Sequence, residues 1–230
     1  MPNREIVLDT ETTGLDPTTG DRLVELGCVE LFNSIPTGET FHRYIDPERD
    51  IPAEAFRVHG LSREFLTGKP KFAEIVSDFL AFIGDAKLII HNAEFDMKFI
   101  NAELKRTEYP VLGFDRVIDT LALARRKHPG APNSLDALCS RYGIDNSRRT
   151  KHGALLDAEI LAEVYLELSG GRQTALELAT SVAKKVEVAV TQLITVRPEG
   201  LPSRLGSVEF EAHVSLVESI GEKAFWRKHL

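Results

Sequence analysis

Ile6-Val7-Leu8-Asp9-Thr10-Glu11-Thr12-Thr13-Gly14 is the stretch on which the reading of this chain turns. Three apolar β-formers run into two acids spaced i and i+2, then into a small, hydroxyl-rich turn. Side chains alternate faces along a strand, so Asp9 and Glu11 point the same way. Two carboxylates on one face repel each other unless a cation sits between them. Hard oxygen ligands of this kind suit Mg²⁺ or Mn²⁺. A strand end with two solvated acids has the same pattern, and a short motif alone does not separate the two readings.

Composition narrows the classes around that stretch. The chain has 230 residues and 43% hydrophobic content, enough for a sizeable core and against global disorder. No apolar run approaches the roughly 20 residues of a membrane span, so no membrane association is expected. Met1-Pro2-Asn3-Arg4-Glu5 leads almost directly into a strand, leaving no room for a signal peptide. Cys28 and Cys139 lie in apolar segments without CxxC or zinc spacing and read as buried free thiols in a reducing compartment. A cytoplasmic location is the expectation. The net charge of −7 is opposite to that of a stand-alone duplex binder. Nucleic acid would have to be held by metal ions, local contacts or a partner.

Taken in order, residues 5–9 read as a strand, 21–32 as a second and Glu39–Ile45 as a third, with Pro36-Thr37-Gly38 as the turn before it. Ser62 with Phe65 opens a short helix. Phe72–Ile83 carries a helical apolar stripe. Lys87–His91 is a short buried strand, Asn92 an N-cap, and Ala93–Lys105 a helix. Arg116–Asp119 (strand), Thr120–Lys127, Leu135–Tyr142 and Ala154–Leu168 (helices) follow, the last closed by Gly170-Gly171. This is an α/β domain over residues 1–171, with antiparallel strands first and strand–helix alternation after. Beyond it, Val186–Val196 reads as a strand and Ser207–Ile220 as an amphipathic helix. Some 60 residues of mixed content bury little core alone and read as a docking appendage.

Three further residues join the first two acids. In His91-Asn92-Ala93-Glu94-Phe95-Asp96, Asp96 falls in the first turn of a helix, where an acid also suits the helix dipole. In His152-Gly153-Ala154-Leu155-Leu156-Asp157, Asp157 is an acid within an apolar helix face, costly there unless paired or metal-bound. His152 reads either as a helix-start loop residue or as a proton acceptor. Four carboxylates with no matching cluster of Arg or Lys call for two divalent ions, the arrangement used for in-line phosphoryl displacement with ions about 4 Å apart. A histidine beside them suits taking a proton from the attacking water.

Asp9–Gly14, His91–Asp96 and His152–Asp157, in that order and spacing, resemble the three motifs of the DEDDh superfamily of 3′–5′ exonucleases. His59-Gly60-Leu61, Pro132–Cys139 and Gly143–Leu168 extend the similarity toward the proofreading subunits of bacterial replicative DNA polymerases, nearly continuous over residues 4–171. The resemblance implies a ribonuclease H-like fold, a mixed central sheet flanked by helices. It implies that Asp9, Glu11 and Asp157 ligate one Mg²⁺ or Mn²⁺, that Asp9 bridges to a second, that Asp96 holds the second, and that His152 is the general base. Thr12, Thr13 and Gly14 would cradle the terminal nucleotide, Glu54 would lie near its 3′-hydroxyl, and His59, His91, Asn92 and Phe95 would be substrate-side. Phe95 reads equally well as core.

The resemblance also assigns the appendage. Residues 172–204 form a linker. Within it, Gln173-Thr174-Ala175-Leu176-Glu177-Leu178 resembles a sliding-clamp-binding peptide, with Gln173, Leu176 and Leu178 as its contacts. Residues 205–230 would bind the polymerase catalytic subunit, with Phe225 and Trp226 as anchors. The linker lacks the glutamine-rich tract of the best-known family members. A small accessory subunit on the nuclease domain is a further partner that the resemblance admits. The substrate implied is a DNA 3′ end, single-stranded or frayed, because unpairing a matched terminus costs a few kcal/mol. Two other readings stay open: a free-standing exonuclease of RNA or short oligonucleotide ends, and a non-catalytic scaffold joining polymerase and clamp.

Overall fold

Strands β1 (Arg4–Thr12), β2 (Leu23–Phe32), β3 (Ile35–Tyr44), β4 (Lys87–Ile90) and β5 (Val117–Asp119) form one sheet in the order β3-β2-β1-β4-β5. Strand β1, the opening stretch, is the central one. It pairs antiparallel with β2 and parallel with β4. The first three strands are the expected meander, and the parallel half follows from the strand–helix alternation. The computed structural model describes residues 4–149, 151–170 and 206–221. The chain divides into two compact units, Met1–Leu178 and Ala179–Leu230.

The helices of the first unit are α1 (Ala53–His59), α2 (Arg63–Leu66), α3 (Phe72–Ile83), α4 (Ala93–Arg106), α5 (Thr120–Lys127), α6 (Leu135–Tyr142) and α7 (Ala154–Leu168). They cover both faces of the sheet. Ile6 and Leu8 of β1 pack in one core with residues of α3 and α4. Val7 packs in the other with residues of α6 and α7. The two-residue period thus sends odd-numbered β1 side chains toward α7 and even-numbered ones toward α4. Both cysteines are buried free thiols. No described helix is long and apolar enough to cross a membrane.

Two local expectations are corrected. The turn between β2 and β3 lies at Asn33 and Ser34, whose φ angles are 52° and 63°. Pro36-Thr37-Gly38 falls inside β3 instead. A two-residue loop with both residues left-handed matches the strand twist. Proline is tolerated on β3 because that strand is the sheet edge, and the pairing register shifts between Val29 and Leu31. Residues 53–59, given no element from sequence, form α1. Glu54 lies in its first turn, and Gly60 ends it at φ 75°.

In the second unit, α8 (Ser207–Ile220) has the bounds expected from its pattern. Val217 is buried, while Val208, Phe210, Leu216 and Ile220 are exposed. The expected strand at Val186–Val196 and the residues Gln173, Leu176, Leu178, Phe225 and Trp226 lie outside the described residues.

One glycine sets how closely α7 approaches the sheet. Gly27 of β2 stands opposite Asp9 in the register, and a Cβ there would overlap the backbone of Ala154 and Leu155 at the start of α7. Backbone, unlike a flexible side chain, cannot step aside locally. Gly27→Ala is expected to lower stability by about 1–3 kcal/mol, read as a downward shift of the denaturation midpoint. An unchanged midpoint would show that α7 does not need this contact.

Candidate active site

The site is built where β1 ends between two helix starts. Asp9 and Glu11 project toward α7, as the strand period requires. Asp157, buried in the first turn of α7, comes to them because Gly27 lets that helix lie directly on the sheet. Asp96 arrives from the opposite layer. It is buried in the first turn of α4, and Thr10, the even-numbered residue between the two acids, donates its hydroxyl to Asp96 Oδ1 at 2.7 Å. Thr10 was not among the residues singled out from sequence. The β1–β2 register breaks between Glu11 and Thr12, so the strand bends away just beyond the acids.

A cavity of about 890 Å³ opens over these carboxylates. Every candidate position from Asp9 to Asp157 lines it: the four acids, His152, Thr12, Thr13, Gly14, Glu54, His59, His91, Asn92 and Phe95. Glu54 stands exposed at the rim, 3.9 Å from Arg57. Phe95 packs against the core, its ring 5.0 Å from that of Phe99, and also lines the cavity. Gly14 has a packing reason of its own, because a Cβ there would overlap the Asp21 carboxylate. Asn92 is corrected: it precedes α4 but adopts the left-handed conformation, φ 65°, and its side chain makes no capping hydrogen bond. Its N–H is held instead by Asp119 Oδ1 at 3.3 Å.

The expectation that the acids lack a basic partner is also corrected. Arg149, only 7% exposed at its side chain, places Nε 2.6 Å from Asp157 Oδ1. Its Nη2 donates to Asp157 Oδ2 at 2.7 Å and to His152 Nδ1 at 2.8 Å, and its Nη1 donates to Asp136 Oδ1 at 2.8 Å. Arg149 and Asp136 were missed because neither falls in a periodic position. The available signal was a basic pair, Arg148-Arg149, three residues before the histidine. His152 Nδ1 is 3.4 Å from Asp157 Oδ2, and its backbone N–H donates to the Val58 carbonyl at 3.2 Å, tying this loop to α1.

The charges on the β1 side have no direct partner, and Arg149 offsets them only in small part. Neither the Asp9 nor the Glu11 carboxylate accepts a hydrogen bond among the described residues. Burial, then the charges of Asp96, Glu11 and Asp157, pushes Asp9 well above the usual carboxylate range. Burial and Asp157 push Glu11 up to about 8. Burial raises Asp96 to about 7 despite the Thr10 hydrogen bond. Asp157 goes the other way. Burial would raise it, but the neighbouring His152 ring and the hydrogen bonds and charge of Arg149 hold it below the usual value. Ligand atoms of Glu11, His152 and Asp157 lie within 4.8 Å of one another. Carboxylates without donors, side by side, Glu11 buried and Asp9 partly so, fit a divalent cation, which would supply the charge that their own surroundings withhold.

These shifts have a measurable sign. A carboxyl whose folded-state pKa is raised binds more protons folded than unfolded, so stability falls as pH rises between the two values. With a chelator present, the melting temperature is expected to fall from about pH 5 to about pH 8, the upper limit set by Glu11. Saturating Mn²⁺ should flatten that slope. A melting temperature that rises over this window in chelator would contradict this largely uncompensated arrangement.

The fold and site have known counterparts. The Exonuclease family (RNase_T) matches residues 6–165. The chain is 54% identical over 193 residues to the DNA polymerase III subunit epsilon of Rickettsia felis, covering 83% of this chain and 84% of that protein. It is 46% identical over 237 residues to the subunit of the same name from Salmonella typhimurium, covering 97% of each. Among solved structures, the nuclease domain of 3'hExo, described as a DEDDh family member and bound to rAMP, is similar in fold. Its TM-score is 0.63 at 18% identity, over 74% of this chain and 94% of that one. The family match spans β1 through most of α7, the part of the chain that carries all four acids and His152. The chain therefore belongs to the Exonuclease family and, within it, to the DNA polymerase III epsilon subunits.

Proposed function

We propose that the chain proofreads DNA synthesis, hydrolysing the 3′-terminal phosphodiester of a frayed primer end and releasing a nucleoside monophosphate. The observation that carries this is the pair of donorless carboxylates on one face of β1, joined by Asp96 and Asp157 around one cavity. Asp9, Glu11 and Asp157 would hold one divalent ion and Asp9 with Asp96 a second, Mg²⁺ or Mn²⁺. Bound there, the ions would polarise the phosphodiester and lower the pKa of the attacking water.

The chain's own residues orient and move the proton. A guanidinium only donates hydrogen bonds, so in the Arg149–His152 contact Nδ1 carries the ring's lone pair and Nε2 its hydrogen. Proton uptake from water therefore requires Arg149 to withdraw from Nδ1 or the ring to exchange tautomers. Either change frees His152 to act as general base at the cavity wall, where it is half-exposed. Thr12, Thr13 and Gly14 border the same cavity and would receive the terminal nucleotide, with Glu54 at its rim near the 3′-hydroxyl. His59, His91, Asn92 and Phe95 would line its approach.

Selectivity for mispairs follows from the few kcal/mol needed to unpair a matched terminus. A net charge of −7 favours delivery of that terminus by a partner. Residues 205–230, with the exposed apolar side chains of α8 and with Phe225 and Trp226, would bind the polymerase catalytic subunit. Gln173, Leu176 and Leu178 in the 172–204 linker would bind the sliding clamp.

Digestion of a 5′-labelled oligonucleotide in Mg²⁺ or Mn²⁺ tests the assignment. The native chain should shorten mismatched 3′ ends faster than matched ones. His152→Ala should be slower by about 10²–10⁴-fold, and Asp9→Ala should leave no measurable activity. Native-like rates for Asp9→Ala would remove the site assignment. No digestion by the native chain would leave a scaffold.

A further inference from the structure

A second hollow lies beside the catalytic cavity, separated from it by a ridge. It has a volume of about 620 Å³, inside the range of about 300–1,000 Å³ that small-molecule sites occupy. His91, Asn92 and Ser134 line both cavities, so the two are continuous over that ridge. Arg125, in the last turn of α5, lines only the second.

We propose that this hollow is a subsite for the DNA strand upstream of the 3′-terminal nucleotide, with Arg125 pairing a backbone phosphate as the strand passes over Asn92. The proposal rests on the reading of the catalytic cavity as the site of the terminal nucleotide.

Three observations converge on it. First, Arg125 is exposed and has no hydrogen-bond or ion-pair partner among the described residues, whereas Lys127 of the same turn is spent on the carbonyls of Glu167 and Leu168 at 2.7 and 3.2 Å. An exposed guanidinium at a polar hollow suits a phosphate bidentately. Its charge already reaches the ridge, where it adds to burial in keeping His91 below its usual pKa.

Second, the ridge is held rigid at some cost. Asn92 is a non-glycine residue with φ 65° and ψ 53°, and its side chain gives up the cap of α4. One oxygen, Asp119 Oδ1, holds the Asn92 N–H at 3.3 Å while capping α5 through Leu121 N at 2.8 Å. The carboxylate that starts the Arg125 helix thereby fixes the backbone between the two hollows, leaving the Asn92 amide group free of capping.

Third, the whole chain carries a charge of −7. A single strand needs local cations to track its backbone through such a surface. An unpaired arginine one ridge away from the acidic cavity meets that need without weakening the affinity of the carboxylates for cations.

The test uses the full chain and two substrates in Mn²⁺: a single-stranded oligothymidylate, and the 4-nitrophenyl ester of thymidine 5′-monophosphate, which has no upstream nucleotide. Arg125→Glu should raise KM for the oligonucleotide about tenfold with kcat little changed, and Arg125→Lys should recover much of it. Ester hydrolysis should stay within about twofold of native. The salt slope of oligonucleotide binding, read by anisotropy in chelator, should fall by about one. An unchanged oligonucleotide KM overturns the subsite. Equal losses on both substrates also overturn it, because Arg125 would then act on the catalytic cavity itself. If the native chain cuts neither substrate, the exonuclease reading fails on its own. The anisotropy arm still decides the subsite, since equal binding by native and Arg125→Glu chains overturns it.

Discussion

Mutual repulsion of four gathered carboxylates, two of them without any donor, is the constraint on which the rest of this structure depends. Asp9 and Glu11 leave β1 on the same face, and the fold then adds Asp157 from one layer and Asp96 from the other. A protein interior ordinarily answers a buried acid with a basic group or with backbone N–H donors. Here Asp157 is answered by Arg149 and Asp96 by the Thr10 hydroxyl and by backbone hydrogen bonds, whereas Asp9 and Glu11 have no such donor among the described residues. The β1 pair stays protonated above its usual range or takes a cation. Stability has been given up locally for chemistry, as expected of a functional site.

The packing that enforces this repulsion is mostly backbone. Gly27 removes the one side chain that would hold α7 off the sheet opposite Asp9. Central placement of β1, covered by helix layers on both faces, makes each side of the strand reach a different helix start. A strand period of two therefore becomes a division of labour. Odd positions carry carboxylates to α7, and the even position Thr10 carries a hydroxyl to Asp96 in α4. Arg149 links the α7 acid to His152 and Asp136, so the histidine is positioned by the same side chain that neutralises its neighbour.

Much of this was legible in the sequence because it is written in local periodicity. The β1 acids, the helical stripe of Phe72–Ile83, the bounds of Thr120–Lys127, Leu135–Tyr142, Ala154–Leu168 and Ser207–Ile220, and the gathering of the four acids with His152 at one cavity all emerge as read. What was not legible depends on contacts between distant segments. The role of Gly27 needs the α7 backbone on top of it. Arg149 sits in a loop without a pattern and finds Asp157 only through the fold. Asn92 has the composition of an N-cap but is held left-handed by Asp119, a residue 27 positions away in sequence. The Pro36-Thr37-Gly38 signal was real turn chemistry, outcompeted by the two-residue Asn33-Ser34 loop that fits the strand twist better.

The central claim is that these four acids form a divalent-metal site rather than an acidic surface. Counting bound Mn²⁺ by electron paramagnetic resonance of the free ion, in the native chain and in Asp9→Asn, tests it most directly. The native chain should take up two ions, and Asp9→Asn should lose at least one of them. A native chain that binds none, or an Asp9→Asn chain that binds the same number with the same affinity, would contradict it.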